Sequence, residues 1–164
     1  YLMDIELLFS SNPFVQGDSR QFANILPNKT QIVKLPAKGA EHTFELPAEL
    51  ASSNVLIEIV ALGISHSQAY YSNTLKVQVT ENFGQVRVTH GRDSAALAKV
   101  YVKVYARMQD GSVRFYKDGY TDLRGRFDYT SLNTNELDYV EKFSLLILSE
   151  EQGSVVREAK PPKR

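Results

Sequence analysis

Apolar and polar residues alternate most regularly between Lys99 and Tyr129. Val100, Val102, Val104 and Ala106 share one face of an extended strand, and Tyr101, Lys103, Tyr105 and Arg107 share the other, because strand side chains alternate with period two. Asp110-Gly111 supplies the positive φ of a tight hairpin turn, and Val113 and Phe115 resume the apolar alternation on the return strand. After Asp118-Gly119 the run Thr121 to Tyr129 turns again into a short strand. Asp122 can accept hydrogen bonds from the turn backbone, and Gly125 can take the left-handed conformation the turn requires. The pattern predicts an antiparallel β-sandwich core.

Weaker signals of the same kind fill the rest of the chain. Residues 4–9 alternate, with Ile5, Leu7 and Phe9 inward, and Asn12-Pro13 ends that strand because proline cannot donate a ladder hydrogen bond. Residues 31–35 and 43–46 read as short strands, and Pro47 to Leu50 as a brief helical turn with proline in its first turn. The β-branched run Asn54 to Ala61 predicts a central strand. Ala69 to Tyr71 and Thr74 to Thr80 complete a first β-sandwich over residues 1–83. Glu81-Asn82-Phe83-Gly84 is short enough to join two packed units rather than tether loose ones. The second unit, residues 84–164, opens on Gln85 to Thr89 with Val86 and Val88 inward. One short helix is expected near 134–142, capped by Thr134, with Leu137 and Val140 at helical spacing. Phe143 to Leu148 and Ser154 to Arg157 then pair as a hairpin, and Pro161-Pro162 ends the fold.

A β-branched strand, an Asp-Gly hairpin and then T-D-x-x-G-x-F-x-Y, carried by Thr121, Asp122, Gly125, Phe127 and Tyr129, resembles the carboxypeptidase regulatory-like (transthyretin-like) sandwich domains. The resemblance covers about residues 84–160. It implies a transthyretin-like second sandwich; with the first sandwich read from strand spacing as immunoglobulin-like, the chain is expected to be all-β, two consecutive antiparallel β-sandwiches. The resemblance also implies a non-catalytic module of a larger protein that is exported, periplasmic or at the cell surface.

Composition narrows the function further. Of 164 residues, 43% are hydrophobic and 23% charged, ordinary for a folded protein. Lys plus Arg and Asp plus Glu are equal at 19 each, without the basic excess of a general nucleic-acid binder. No window approaches the roughly 20 apolar residues of a membrane-inserted helix. There is no cysteine, which removes disulfides, thiol catalysis and cysteine zinc sites. The chain begins at Tyr1 without a signal peptide and reads as a piece of something longer.

Candidate chemistry is sparse, and no catalytic, cofactor or metal site is expected. His42, His66 and His90 stand near turns or strand ends with no second ligand at metal spacing. Asp118, Asp122 and Asp128 could be calcium oxygens, but their spacing fits no compact loop and the neighbouring glycines explain two of them as turn formers. No G-x-S-x-G elbow, S-x-x-K pair or phosphate-binding glycine loop occurs. Asn28-Lys29-Thr30 matches a glycosylation sequon.

One constellation remains. Tyr101, Lys103, Tyr105 and Arg107 are expected on one sheet face, with Arg114 and Tyr116 beside them across the hairpin. Tyrosine offers rigid area with a polar tip, and cations stack on it. This face could pack against the first unit or the short helix, dock a neighbouring domain or another protein, or stack a glycan. The reading is therefore a structural or protein-interaction module, with ligand binding on the Tyr/Lys/Arg face as its alternative.

Overall fold

The computed structural model describes residues 4–14, 26–131 and 135–163. Its order is a helix α1 (Ile5–Ser11), strands β1 (Val55–Ala61), β2 (Ile64–Tyr70), β3 (Leu75–Thr80), β4 (Gln85–His90), β5 (Tyr101–Met108), β6 (Val113–Tyr120), β7 (Arg126–Asp128), β8 (Val140–Ser149) and β9 (Gly153–Ala159), with short 3-10 turns between. Among the described residues the secondary structure is all-β apart from α1 and those turns. No described helix is long and apolar enough to cross a membrane.

Two sheets make the sandwich. A four-stranded sheet in the order β6-β5-β8-β9 faces a three-stranded sheet in the order β3-β4-β7. The alternation on β5 holds: Val100, Val102, Val104 and Ala106 are buried between the sheets. Val86 and Val88 on β4 meet them from the opposite sheet, with Phe143, Leu145 and Ile147 of β8 in the same core. Leu75, Val77 and Val79 of β3 pack against that core from its edge. Burying one face of each strand in this way supplies the main driving force for the fold.

The segment Glu81–Gly84, expected to join two units, is the turn of a hairpin. Glu81–Phe83 makes one 3-10 turn, and Gly84 closes it in the left-handed conformation at φ +59°. The flanking strands pair antiparallel from Leu75 opposite His90 to Thr80 opposite Gln85, so β3 lies in the same sheet as β4.

Several expectations for the first part of the chain are corrected. Residues 5–11 are helical, because Asp4 accepts a hydrogen bond from the Leu7 amide (3.2 Å) and caps the first turn. Ile5 and Phe9, four apart, are buried on one side while Leu7 is 69% exposed, the burial of a helix and not of a strand. Residues 31–35 and 43–46 form no strand, since no described strand pairs with them. The helical turn expected at Pro47 to Leu50 is present as a 3-10 turn at Ala48–Leu50. β1 forms where expected, yet it is not central: it pairs with β2 alone.

Two details change the second part. The short helix is a 3-10 turn at Asn135–Tyr139, because Val140 already pairs with Met108 and starts β8. Leu137 and Val140 are buried as expected, while the proposed cap Thr134 lies outside the described residues. A register shift between Val104 and Tyr105 sets Tyr105 opposite Phe115 and Val104 opposite Lys117. This bulge turns Val113 and Phe115 to the outer face, where they are exposed instead of inward.

Candidate interaction surface

The outer face of the four-stranded sheet carries Tyr101, Lys103, Tyr105 and Arg107 from β5, as the alternation requires. Opposite them β8 places Leu148, Leu146, Ser144 and Lys142 in turn. The bulge divides the β6 residues expected beside them. Arg114 sits opposite Ala106 on the other face, and Tyr116 packs on Phe143 of the core with ring centroids 5.0 Å apart. Those two residues do not join the Tyr/Lys/Arg face. Phe115 and Tyr120 replace them, opposite Tyr105 and Tyr101 respectively.

Most of that face is closed by the chain itself. Helix α1 lies on it, with Ile5 and Phe9 packed over Leu146 and Val156. Tyr105 meets Phe9 edge to face at 5.5 Å and Phe115 at 5.8 Å. Lys103 donates to Ser10 Oγ at 2.8 Å and stands 3.7 Å from Glu6. Past the helix, Ser144 Oγ donates to the Pro13 carbonyl at 2.6 Å. Phe14 then lies under the Arg107 guanidinium (4.8 Å) and the Lys142 ammonium (5.6 Å), a double cation–π contact. The sequence signal for this cover is the unbroken apolar run Leu145 to Leu148. A strand that is apolar on both sides is buried on both sides.

Two parts of the face stay open: the β6 edge with Val113 and Phe115, and the end holding Tyr101 and Tyr120. Their rings are 5.5 Å apart and tilted, and the Tyr101 hydroxyl donates to Asp118 Oδ2 at 2.7 Å. Burial first, then the Asp118 carboxylate, raises the Tyr101 phenol well above its usual range, so it stays a neutral donor. Tyr120 is 66% exposed. A groove of about 590 Å³ opens here, lined by Glu6, Lys99, Tyr101, Asp118, Tyr120 and Glu150 among others.

The residues of the T-D-x-x-G-x-F motif build a turn between the sheets. Thr121 is buried. Its hydroxyl accepts from the Val100 amide (3.0 Å) and donates to the Leu97 carbonyl (2.6 Å). Asp122 Oδ1 accepts from the amides of Arg124 (2.8 Å) and Arg126 (3.0 Å). Those two amides, Arg126 foremost, hold the Asp122 carboxyl below its ordinary value. Phe127 covers Gly119, and Lys117 lies 5.2 Å over its ring. Tyr129 is fully buried, donates to the Lys160 carbonyl at 3.1 Å, and burial pushes its phenol up to about 12.

The other candidates stand apart. Asp118 takes the Tyr101 hydroxyl, Asp122 the turn amides, and Asp128 the Gln85 side-chain amide at 3.0 Å. His90 Nδ1 accepts from the Arg92 amide at 3.1 Å, while His42 and His66 are exposed. Among the described residues, no three His, Asp or Glu side chains group as metal ligands.

Comparison with known proteins places this sandwich. Residues 74–164 match the family model for the AbpF C-terminal domain, and residues 1–57 match that for the AbpF seventh immunoglobulin-like domain. The chain is 46% identical over 162 residues to a Dictyostelium discoideum relative named actin-binding protein F, covering 99% of this chain and 7% of the relative. It thus spans a small part of that protein's length. No solved structure matches. By both models and by this identity, the chain belongs to the AbpF family of immunoglobulin-like β-sandwich domains.

Proposed function

We propose that the chain is a non-catalytic protein-interaction module of a larger actin-binding protein. The observation that carries this reading is the 46% identity across nearly the whole chain to a protein named for binding actin. The site geometry agrees with it. Asp110, Asp122 and Thr121 hold turns and Lys103 and Ser144 hold the segment of α1 and Pro13, while the Tyr101–Tyr120 end is an aromatic pair left open, with Tyr120 66% exposed. Tyrosine is enriched at protein interfaces relative to the rest of the surface.

The glycan alternative has less surface to work with. Of the residues expected to stack a sugar, Tyr105 is under Phe9, Arg107 is engaged by Phe14 and Tyr116 packs on Phe143, leaving Tyr101 as the aromatic one, with Tyr120 beside it. The finer resemblance to carboxypeptidase regulatory-like domains adds no activity, since Thr121, Asp122 and Gly125 are spent on the turn.

The test is to immobilise the 164-residue chain and present filamentous actin, the adjoining immunoglobulin-like domains of the Dictyostelium relative, and a glycan array. Saturable binding of actin or of an adjoining domain supports the reading. Binding of glycans alone, or of none of the three, contradicts it.

A further inference from the structure

The two family matches part the chain between Ile57 and Thr74. Helix α1, Pro13 and Phe14 fall in the stretch matched to the seventh immunoglobulin-like domain, whereas β5, β8 and β9 fall in the C-terminal domain. The cover over the outer sheet face is therefore a contact between residues of two family domains.

That contact has the anatomy of a protein interface, an apolar centre inside a polar rim. Ile5 and Phe9 are 8% and 3% exposed over Leu146 and Val156. Around them, Lys103 meets the Ser10 hydroxyl and the Glu6 carboxylate, and Arg107 and Lys142 share the Phe14 ring. Ser144 is fully buried and donates to the Pro13 carbonyl, so the segment also satisfies a polar group beneath it. The residues that follow do not hold the segment there. Residues 26–45 are all exposed and form no described helix or strand. A stretch that removes so little apolar surface from water contributes little to keeping α1 in place, which leaves that task to the sheet face. A second tie joins the same two stretches farther along, where Asn54 bonds Ser154 Oγ at 2.8 Å and Val55 is 2% exposed.

We propose that the outer face of β5, β8 and β9 is an interdomain dock, and that its occupant is residues 5–14 of the seventh-domain stretch. The dock couples the two domains through side-chain contacts and not through the exposed residues that link them. It also makes the open groove composite, with Glu6 from one domain and Tyr101, Asp118 and Tyr120 from the other in its wall.

The test replaces residues 31–35 of the 164-residue chain by a protease recognition sequence, cuts the folded chain there, and follows the N-terminal piece by size exclusion at micromolar concentration. The piece is expected to co-elute with the remainder. A synthetic peptide of residues 4–14 in excess is expected to displace it. The same peptide carrying Phe9→Ala is expected to need a concentration about thirtyfold higher or more, as for a buried aromatic cut back to alanine. A Leu7→Ala peptide, altered where the helix is exposed, is expected to match the unsubstituted one. Loss of the piece on cutting overturns the proposal. So does displacement by the Phe9→Ala peptide as readily as by the unsubstituted one, or displacement by neither. Actin takes no part in these measurements, so the binding proposed for the Tyr101–Tyr120 end fails or stands separately.

Discussion

Gly125 and Val88 approach so closely that a Cβ on Gly125 would lie 2.3 Å from the Val88 carbonyl oxygen. The Gly125 carbonyl accepts from the Val88 amide at 2.7 Å, and Gly125 itself is left-handed at φ +72°. Conformation and clearance both demand glycine here, and the clash is with backbone, which cannot swing aside. Gly125→Val is expected to cost about 3 kcal/mol or more in chemical denaturation, from strain at positive φ and displacement of the turn from β4. Gly125→Ala is expected to cost nearly as much, because the first carbon already collides. A loss below about 1 kcal/mol, within the range of ordinary substitutions, contradicts this.

The docking of α1 is a separate layer of stability. Phe9 is 3% exposed and spans from Tyr105 to Leu146 and Val156. Phe9→Ala is expected to weaken the docking by about 2–4 kcal/mol, a large-to-small loss at a buried aromatic. Amide exchange in residues 5–11 accelerates, while Val102 and Leu145, buried between the sheets, keep their protection. Equal loss at both places would mean that helix and sandwich unfold as one unit.

Acid acts through the turn. The Asp122 carboxyl lies below its ordinary 3.8 in the fold, held there by the Arg126 and Arg124 amides. A lowered folded value contributes stability that is present above the unfolded value and is lost as the pH falls through the folded one. Stability is therefore expected to decline as the pH drops below about 4. Asp110, lowered chiefly by the Ser112 hydroxyl, adds to the same decline. Asp122→Asn is expected to flatten the acid limb of a stability-against-pH curve, and an unchanged limb contradicts the assignment.

Much of the second half was legible in the sequence, for a physical reason. Where a strand is buried on one face, as with Val100 to Ala106, the period of two is printed in the residues. Asp110-Gly111 and Asp122 with Gly125 mark their turns by backbone demands that few residues meet. The misses share a cause as well. Ile5, Leu7 and Phe9 satisfy a strand's alternation, and Ile5 with Phe9 equally satisfies a helix's spacing of four. Seven residues cannot decide between them until Asp4 caps the turn. The bulge at Tyr105 leaves no mark in composition, yet it moves Arg114 and Tyr116 away from the face they were expected to share. The Tyr/Lys/Arg face itself was correctly placed on β5; its cover by α1 depends on contacts across most of the chain.

The open and covered tyrosines are expected to behave differently. Tyr120→Ala removes a ring that is mostly in solvent, so stability should change by less than about 0.5 kcal/mol. Affinity for the protein partner is expected to fall about tenfold, as for an aromatic anchor at an interface. Arg107→Ala frees Phe14 and speeds proteolysis near residue 14 without changing that affinity. The reverse pattern would place the partner on the β5 residues under α1.

The most direct measurement compares two fragments, residues 73–164 and 84–164, by denaturant unfolding and amide exchange. The first keeps β3, whose Leu75, Val77 and Val79 close the core edge and whose start is tied to Gly153 and Gln152. It should unfold cooperatively, with β4, β5 and β8 protected. The second lacks that strand and should be unfolded or lose most of this protection. A fragment 84–164 as stable as 73–164 would contradict a sandwich that begins at β3.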